Sequence, residues 1–166
     1  MSEFNFEAIQ AGFPENLNQK TMIWIWNADK IPPHIGISIE KDYFSLTYRK
    51  SEYLLTASMQ KKAKRSAIPL VLVEIPKGSV QLDPITVFSK YERAIDGITC
   101  LRPIREVMRL GESINQLADL LIHLESNKLI TQVNGVNLPE GYVGIPDYSM
   151  EEILDRIKFL NRGFFI

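Results

Sequence analysis

Cysteine occurs once in these 166 residues, and histidine only twice. A single cysteine forms no internal disulfide, so the fold does not depend on one, and a reducing compartment is the natural reading. Cys100, His34 and His123 are scattered, with no short ligand spacing, so no metal site is expected. An excess of charge of one sign is also missing. Nineteen Lys and Arg stand against twenty Asp and Glu, a formal net charge of -1, so there is no bulk pull toward nucleic acid. No apolar run approaches the roughly 20 residues that a bilayer span needs. The first seven residues, Met1-Ser2-Glu3-Phe4-Asn5-Phe6-Glu7, are acidic and lack a basic region followed by an apolar run. No signal peptide is read there, and a cytoplasmic location is expected. There is no phosphate-binding glycine loop or nucleotide fingerprint, so no cofactor is expected.

What is present is the profile of a soluble globular protein: 45% hydrophobic and 23% charged residues. The length suits one domain over 1–166 with a real core. Within it, 21–110 reads as a candidate catalytic core and 111–166 as a helical C-terminal extension.

Residues 1–20 read as loop with one helical turn, because Gly12 and Pro14 interrupt Phe4, Phe6, Ile9 and Phe13. The run 21–26 (TMIWIW) is β-branched and aromatic, the pattern of a strand buried on both faces. After a turn at 27–30 and an extended Ile31-Pro32-Pro33, residues 34–39 form a second strand. A polar turn at 40–42 leads to a third, 43–49. Alternation puts Phe44, Leu46 and Tyr48 on one face, and Tyr43, Ser45, Thr47 and Arg49 on the other. These three strands make an antiparallel meander.

Ser51 is a fair N-cap for a helix over 51–65, with Leu54 and Leu55 packing inward and a basic end matched to the helix dipole. The run 69–75 is a nearly all-aliphatic central strand. Residues 85–91 suit helix or strand equally, and a helix follows Cys100. A stripe of Ile114, Leu117, Leu120, Leu121, Leu124 and Leu129 predicts a helix over 113–129. Residues 131–148 read as a long loop or covering arm. Ser149 and Glu152 form a capping box for a helix over 149–160, followed by Gly163 and an apolar tail, Phe164-Phe165-Ile166.

Cysteine chemistry needs a thiol, an imidazole to take its proton, and a third polar group to orient the imidazole. Cys100 stands just before a predicted helix, where backbone N–H groups favour a thiolate and can hold an oxyanion. His34 opens a strand. Ser45 and Thr47, on the polar face of the neighbouring strand, are the candidates for the third group. His123 lies beside the apolar stripe of its helix and reads as a packing residue.

His34-Ile35-Gly36-Ile37 at a strand start, then a hairpin, then Thr99-Cys100 at a helix start, resembles the permuted papain-like cysteine hydrolases. That superfamily includes the lecithin–retinol acyltransferase relatives and several bacterial amidase-type branches. The resemblance covers roughly 21–110 in element order. It implies an α+β fold, with a small antiparallel sheet or half-barrel packed against the helix that follows the cysteine. It also implies hydrolysis or transfer at an amide, ester or thioester of a peptide or small molecule, through an acyl-enzyme on Cys100. The alternative is a non-enzymatic interaction or immunity-type α+β domain. In that case Trp24, Trp26, Tyr43 and Tyr48 would supply a surface, although sheet packing is their more ordinary role. A homo-oligomer is compatible with either reading.

Overall fold

The computed structural model describes residues 3–162. In chain order, β1 (Phe4–Asn5) and β2 (Gln10–Ala11) precede β3 (Thr21–Trp26), β4 (His34–Ile39), β5 (Asp42–Leu46) and β6 (Ser51–Leu55). Then come α1 (Thr56–Ser66), β7 (Leu70–Ile75), α2 (Pro84–Ser89), α3 (Leu101–Val107), α4 (Leu117–Ser126), β8 (Gln132–Val136), β9 (Gly144–Ile145) and α5 (Met150–Asn161). The fold is α+β.

β3 runs through the middle of the sheet, as its apolar run demands, and all six of its residues are buried. β4 lies antiparallel on one side of it and β7 antiparallel on the other. The full order is β2-β8-β7-β3-β4-β5-β6. The expected small antiparallel sheet is therefore a seven-stranded mixed one, because β2 runs parallel to β8. β1 and β9 pair separately.

The pairing register sorts the side chains. Ile23, Ile25, Ile35, Ile37, Phe44, Val71 and Val73 share one face and join the larger core with α3 and α4 residues. Met22, Trp24, Trp26, Tyr43, Leu70 and Leu72 share the other and pack with Met59 and Ala63 of α1.

Several expectations give way to long-range contacts. Residues 51–55 form β6 and not the first turn of a helix. There Tyr53 stacks on Phe44 and its hydroxyl donates to Asp42, while Leu54 and Leu55 are exposed. The helix starts at Thr56, whose N–H and hydroxyl donate to the carbonyls of Lys41 and Glu40. The third strand stops at Leu46, since Thr47–Lys50 closes a turn. α4 begins later than expected because the Asp119 carboxylate accepts from the N–H groups of Asn115 and Gln116. The presumed arm 131–148 contains β8, which pairs with β7. The ambiguous 85–91 is mostly helical: Asp83 caps α2 by accepting from the Thr86 N–H and hydroxyl, and Pro84 opens it. The expected apolar tail lies outside the described residues. No helix among the described residues is long and apolar enough to cross a membrane.

Candidate functional site

A cavity of about 360 Å³ opens at the end of the sheet where β4 begins. His34 and Cys100 both line it. They arrive there from different elements. His34 is the first residue of β4, directly opposite Trp26 of β3. Cys100 immediately precedes α3 and already has helical dihedral angles, φ −61° and ψ −20°. Pro103 occupies the third helical position, where its missing N–H costs no intrahelical bond.

A break in the sheet brings the two elements together. β4 and β5 pair from Gly36–Ser45 through Ile39–Asp42, and His34 and Ile35 extend beyond that ladder. Cys100 lies beside this free stretch of β4, and the backbone N–H groups of Ile35 and of Cys100 itself are near enough to its sulfur to favour the thiolate.

Both groups are neutral near pH 7. Burial, with a smaller contribution from the Lys62 ammonium, lowers the His34 pKa to about 4. Burial also raises the Cys100 thiol to about 11, against the pull of the two N–H groups toward the thiolate. Part of each residue still faces the cavity. No hydrogen bond joins their side chains among the described residues, and none orients the His34 ring.

The expected third groups are occupied elsewhere. Thr47 lines the cavity, but its hydroxyl donates to the Lys50 carbonyl at 3.0 Å and accepts from the N–H groups of Arg49 and Lys50. It holds a turn. The Ser45 hydroxyl is buried and donates to Glu52 Oε1 at 3.0 Å. His123 sits on α4, away from the cavity lining, with its carbonyl accepting from Asn127.

Sequence reasoning missed the polar chain beside His34. Trp26 Nε1 donates to Tyr43 Oη at 2.9 Å, Tyr43 also bonds the Ser45 side chain, and Ser45 reaches Glu52. Burial holds the Tyr43 phenol well above the usual tyrosine range. Gly36 makes this chain fit: a Cβ there would collide with the Tyr43 phenol. The glycine of His34-Ile35-Gly36-Ile37 therefore has a packing reason, and its neighbour is a residue of the next strand. The available signal was the alternation that put Tyr43 and Ser45 on one face.

α5 forms the remaining wall. The Ser149–Glu152 capping box starts it as expected. At its other end, Asn161 donates to the Ala94 carbonyl and accepts from Arg93. Ile153, Arg156, Ile157 and Leu160 face the cavity.

Of the four aromatics considered for an interaction surface, three cluster inward, while Tyr48 is half-buried at the cavity lining. Trp24 stacks on Trp26 at 5.5 Å and meets Tyr43 edge-on at 5.4 Å, and all three are buried. No protein-family model matches the chain, and no curated protein or solved structure matches it.

Proposed function

We propose that this protein is a cysteine hydrolase or acyltransferase, acting on an amide, ester or thioester in the permuted papain-like manner. The observation that carries the reading is that His34 and Cys100, far apart in the chain, line one cavity. Because both are neutral at rest, the thiol proton moves to the His34 imidazole as sulfur attacks the carbonyl carbon. The N–H groups of Ile35 and Cys100 are the oxyanion donors of this scheme. The carbon–heteroatom bond then breaks, and His34 returns the proton to the leaving group. Water, or a second acceptor, next attacks the thioester and restores the thiol. A protein with one cysteine suits this role in a reducing compartment such as the cytoplasm.

A binding domain without catalysis is the second reading. It is favoured by the raised thiol pKa and by the lack of an orienting partner for His34 among the described residues.

Alkylation of Cys100 by iodoacetamide near neutral pH separates the two. Under the first reading the imidazole assists, and His34→Ala slows alkylation by at least about tenfold and hydrolysis of activated esters by about a hundredfold. Alkylation that is slow and indifferent to His34→Ala leaves a binding domain.

A further inference from the structure

The cavity carries two cations whose charge the fold leaves unmatched. Lys62 of α1 and Arg156 of α5 both line it. Neither forms an ion pair with a carboxylate among the described residues. Their heads rest on rings instead: the Lys62 ammonium lies 5.8 Å from the Trp26 ring centroid, and the Arg156 guanidinium 5.7 Å from that of Phe159. Glu52, the acid in the lining, is engaged by the Ser45 hydroxyl. With His34 neutral, the lining carries a net positive charge. The rest is largely apolar, with Leu46, Met59, Ile153 and Ile157 among its walls.

An apolar cavity edged by two unpaired cations complements a ligand with an apolar body and one anionic end. We propose that the substrate is a carboxylate-bearing acyl amide, an N-acyl amino acid in chemical class. Its acyl chain lies among the aliphatic walls and its carboxylate lies between Lys62 and Arg156. The assignment rests on the hydrolase reading for the bond that is cut. Cys100 adds to the amide carbonyl, and the C–N bond breaks. The amino acid leaves with the proton from His34, and water converts the thioester to the free carboxylic acid.

The test separates binding from chemistry. Calorimetry on Cys100→Ser measures N-hexanoylglycine against its uncharged methyl ester. The acid is expected to bind about tenfold more tightly, about 1.4 kcal/mol, and Lys62→Gln with Arg156→Gln removes the difference. In Cys100→Ser with Lys62 and Arg156 intact, the preference for the acid shrinks as salt rises from about 20 mM to about 500 mM, because exposed charges are screened. Equal affinities, no binding of either compound, or a preference that survives the double substitution overturns the assignment. Tight, charge-dependent binding without turnover by the unmodified protein upholds the ligand class and overturns the hydrolase reading alone.

Discussion

The two faces of the sheet solve different problems with the same strands. On the face toward α3 and α4, β3, β4 and β7 present aliphatic side chains apart from Thr21 at the end of β3, and the core seals by shape. On the face toward α1, β3 presents Trp24 and Trp26 and β5 presents Tyr43, each with a polar atom to satisfy. Those atoms are paired within the sheet: Trp24 Nε1 with Ser38 Oγ at 2.8 Å, and Trp26 Nε1 with Tyr43 Oη at 2.9 Å. A buried hydrogen bond has direction, so this face fixes positions that an aliphatic face leaves to packing alone. The cavity opens at the end of the directional face. The difference assigns stability mainly to one side of β4 and placement of His34 to the other.

The aliphatic face gives the largest effect. Ile37 is fully buried there. Ile37→Ala is expected to cost about 4 kcal/mol of unfolding free energy, from lost transfer energy and the hole left behind. Chemical denaturation measures it. If the faces divide their roles as described, the folded fraction of this variant keeps the wild-type alkylation profile of Cys100. A changed profile would show that the two faces are coupled.

The next effect tests the site end of β4. The imidazole takes a proton near 6.5 in the unfolded chain but only near 4 in the folded one. As pH falls from about 6.5 to about 4, the unfolded state binds more protons, so stability is lost across that window. With part of the ring open to the cavity, the loss is about 2 kcal/mol. His34→Gln flattens this part of the stability–pH curve. A curve of the same slope in both proteins would mean that the His34 ring titrates as if in water.

Much of this was legible in the sequence. β3, β4 and β7 announce themselves by β-branched and aromatic runs, and the face assignment within 43–46 follows from strict alternation. The Ser149 cap of α5 is a local device and was equally readable. The failures share a cause. Ser51 resembles a helix cap, yet 51–55 is claimed by Asp42–Leu46 across the sheet, a partner that local pattern does not reveal. Residues 131–148 are rich in loop formers, yet 132–136 finds β7. At the site, His34 and Cys100 were readable as residue types in a suggestive order. Alternation places Ser45 and Thr47 near His34, but whether a hydroxyl is free depends on where its proton goes. Lys62 belongs to the basic helix end that reads as a dipole match, and Arg156 gave no signal, because α1 and α5 meet the cavity only in three dimensions.

An effect of similar size sharpens the role of Gly36. Gly36→Ala sets a methyl group against the Tyr43 phenol, which lies between β4 and the Trp26 indole. Overpacking of this kind is expected to cost about 2 kcal/mol. Because Tyr43 must move, the Trp26–Tyr43 bond breaks as well, and indole fluorescence should shift along with stability.

Tyr43→Phe isolates that bond at the smallest expected cost. The ring and its edge-on contact with Trp24 remain, and only the hydroxyl is lost. Trp26 Nε1 then has no acceptor, while Ser45 keeps Glu52. An unpaired buried donor costs about 1 kcal/mol here, at the low end of the range for such groups because the nearby cavity can admit water. The informative reading is on Cys100. Trp26 faces His34 directly across β3 and β4, so a free Trp26 indole loosens the wall against which the imidazole packs. If the hydrogen-bonded face holds His34 in place, Tyr43→Phe changes the rate of Cys100 alkylation by more than its small stability loss would suggest, and adding His34→Ala makes no further difference. If the rate stays at the wild-type value, the polar chain is a packing device for the α1 face, and His34 owes its position to the backbone of β4 alone.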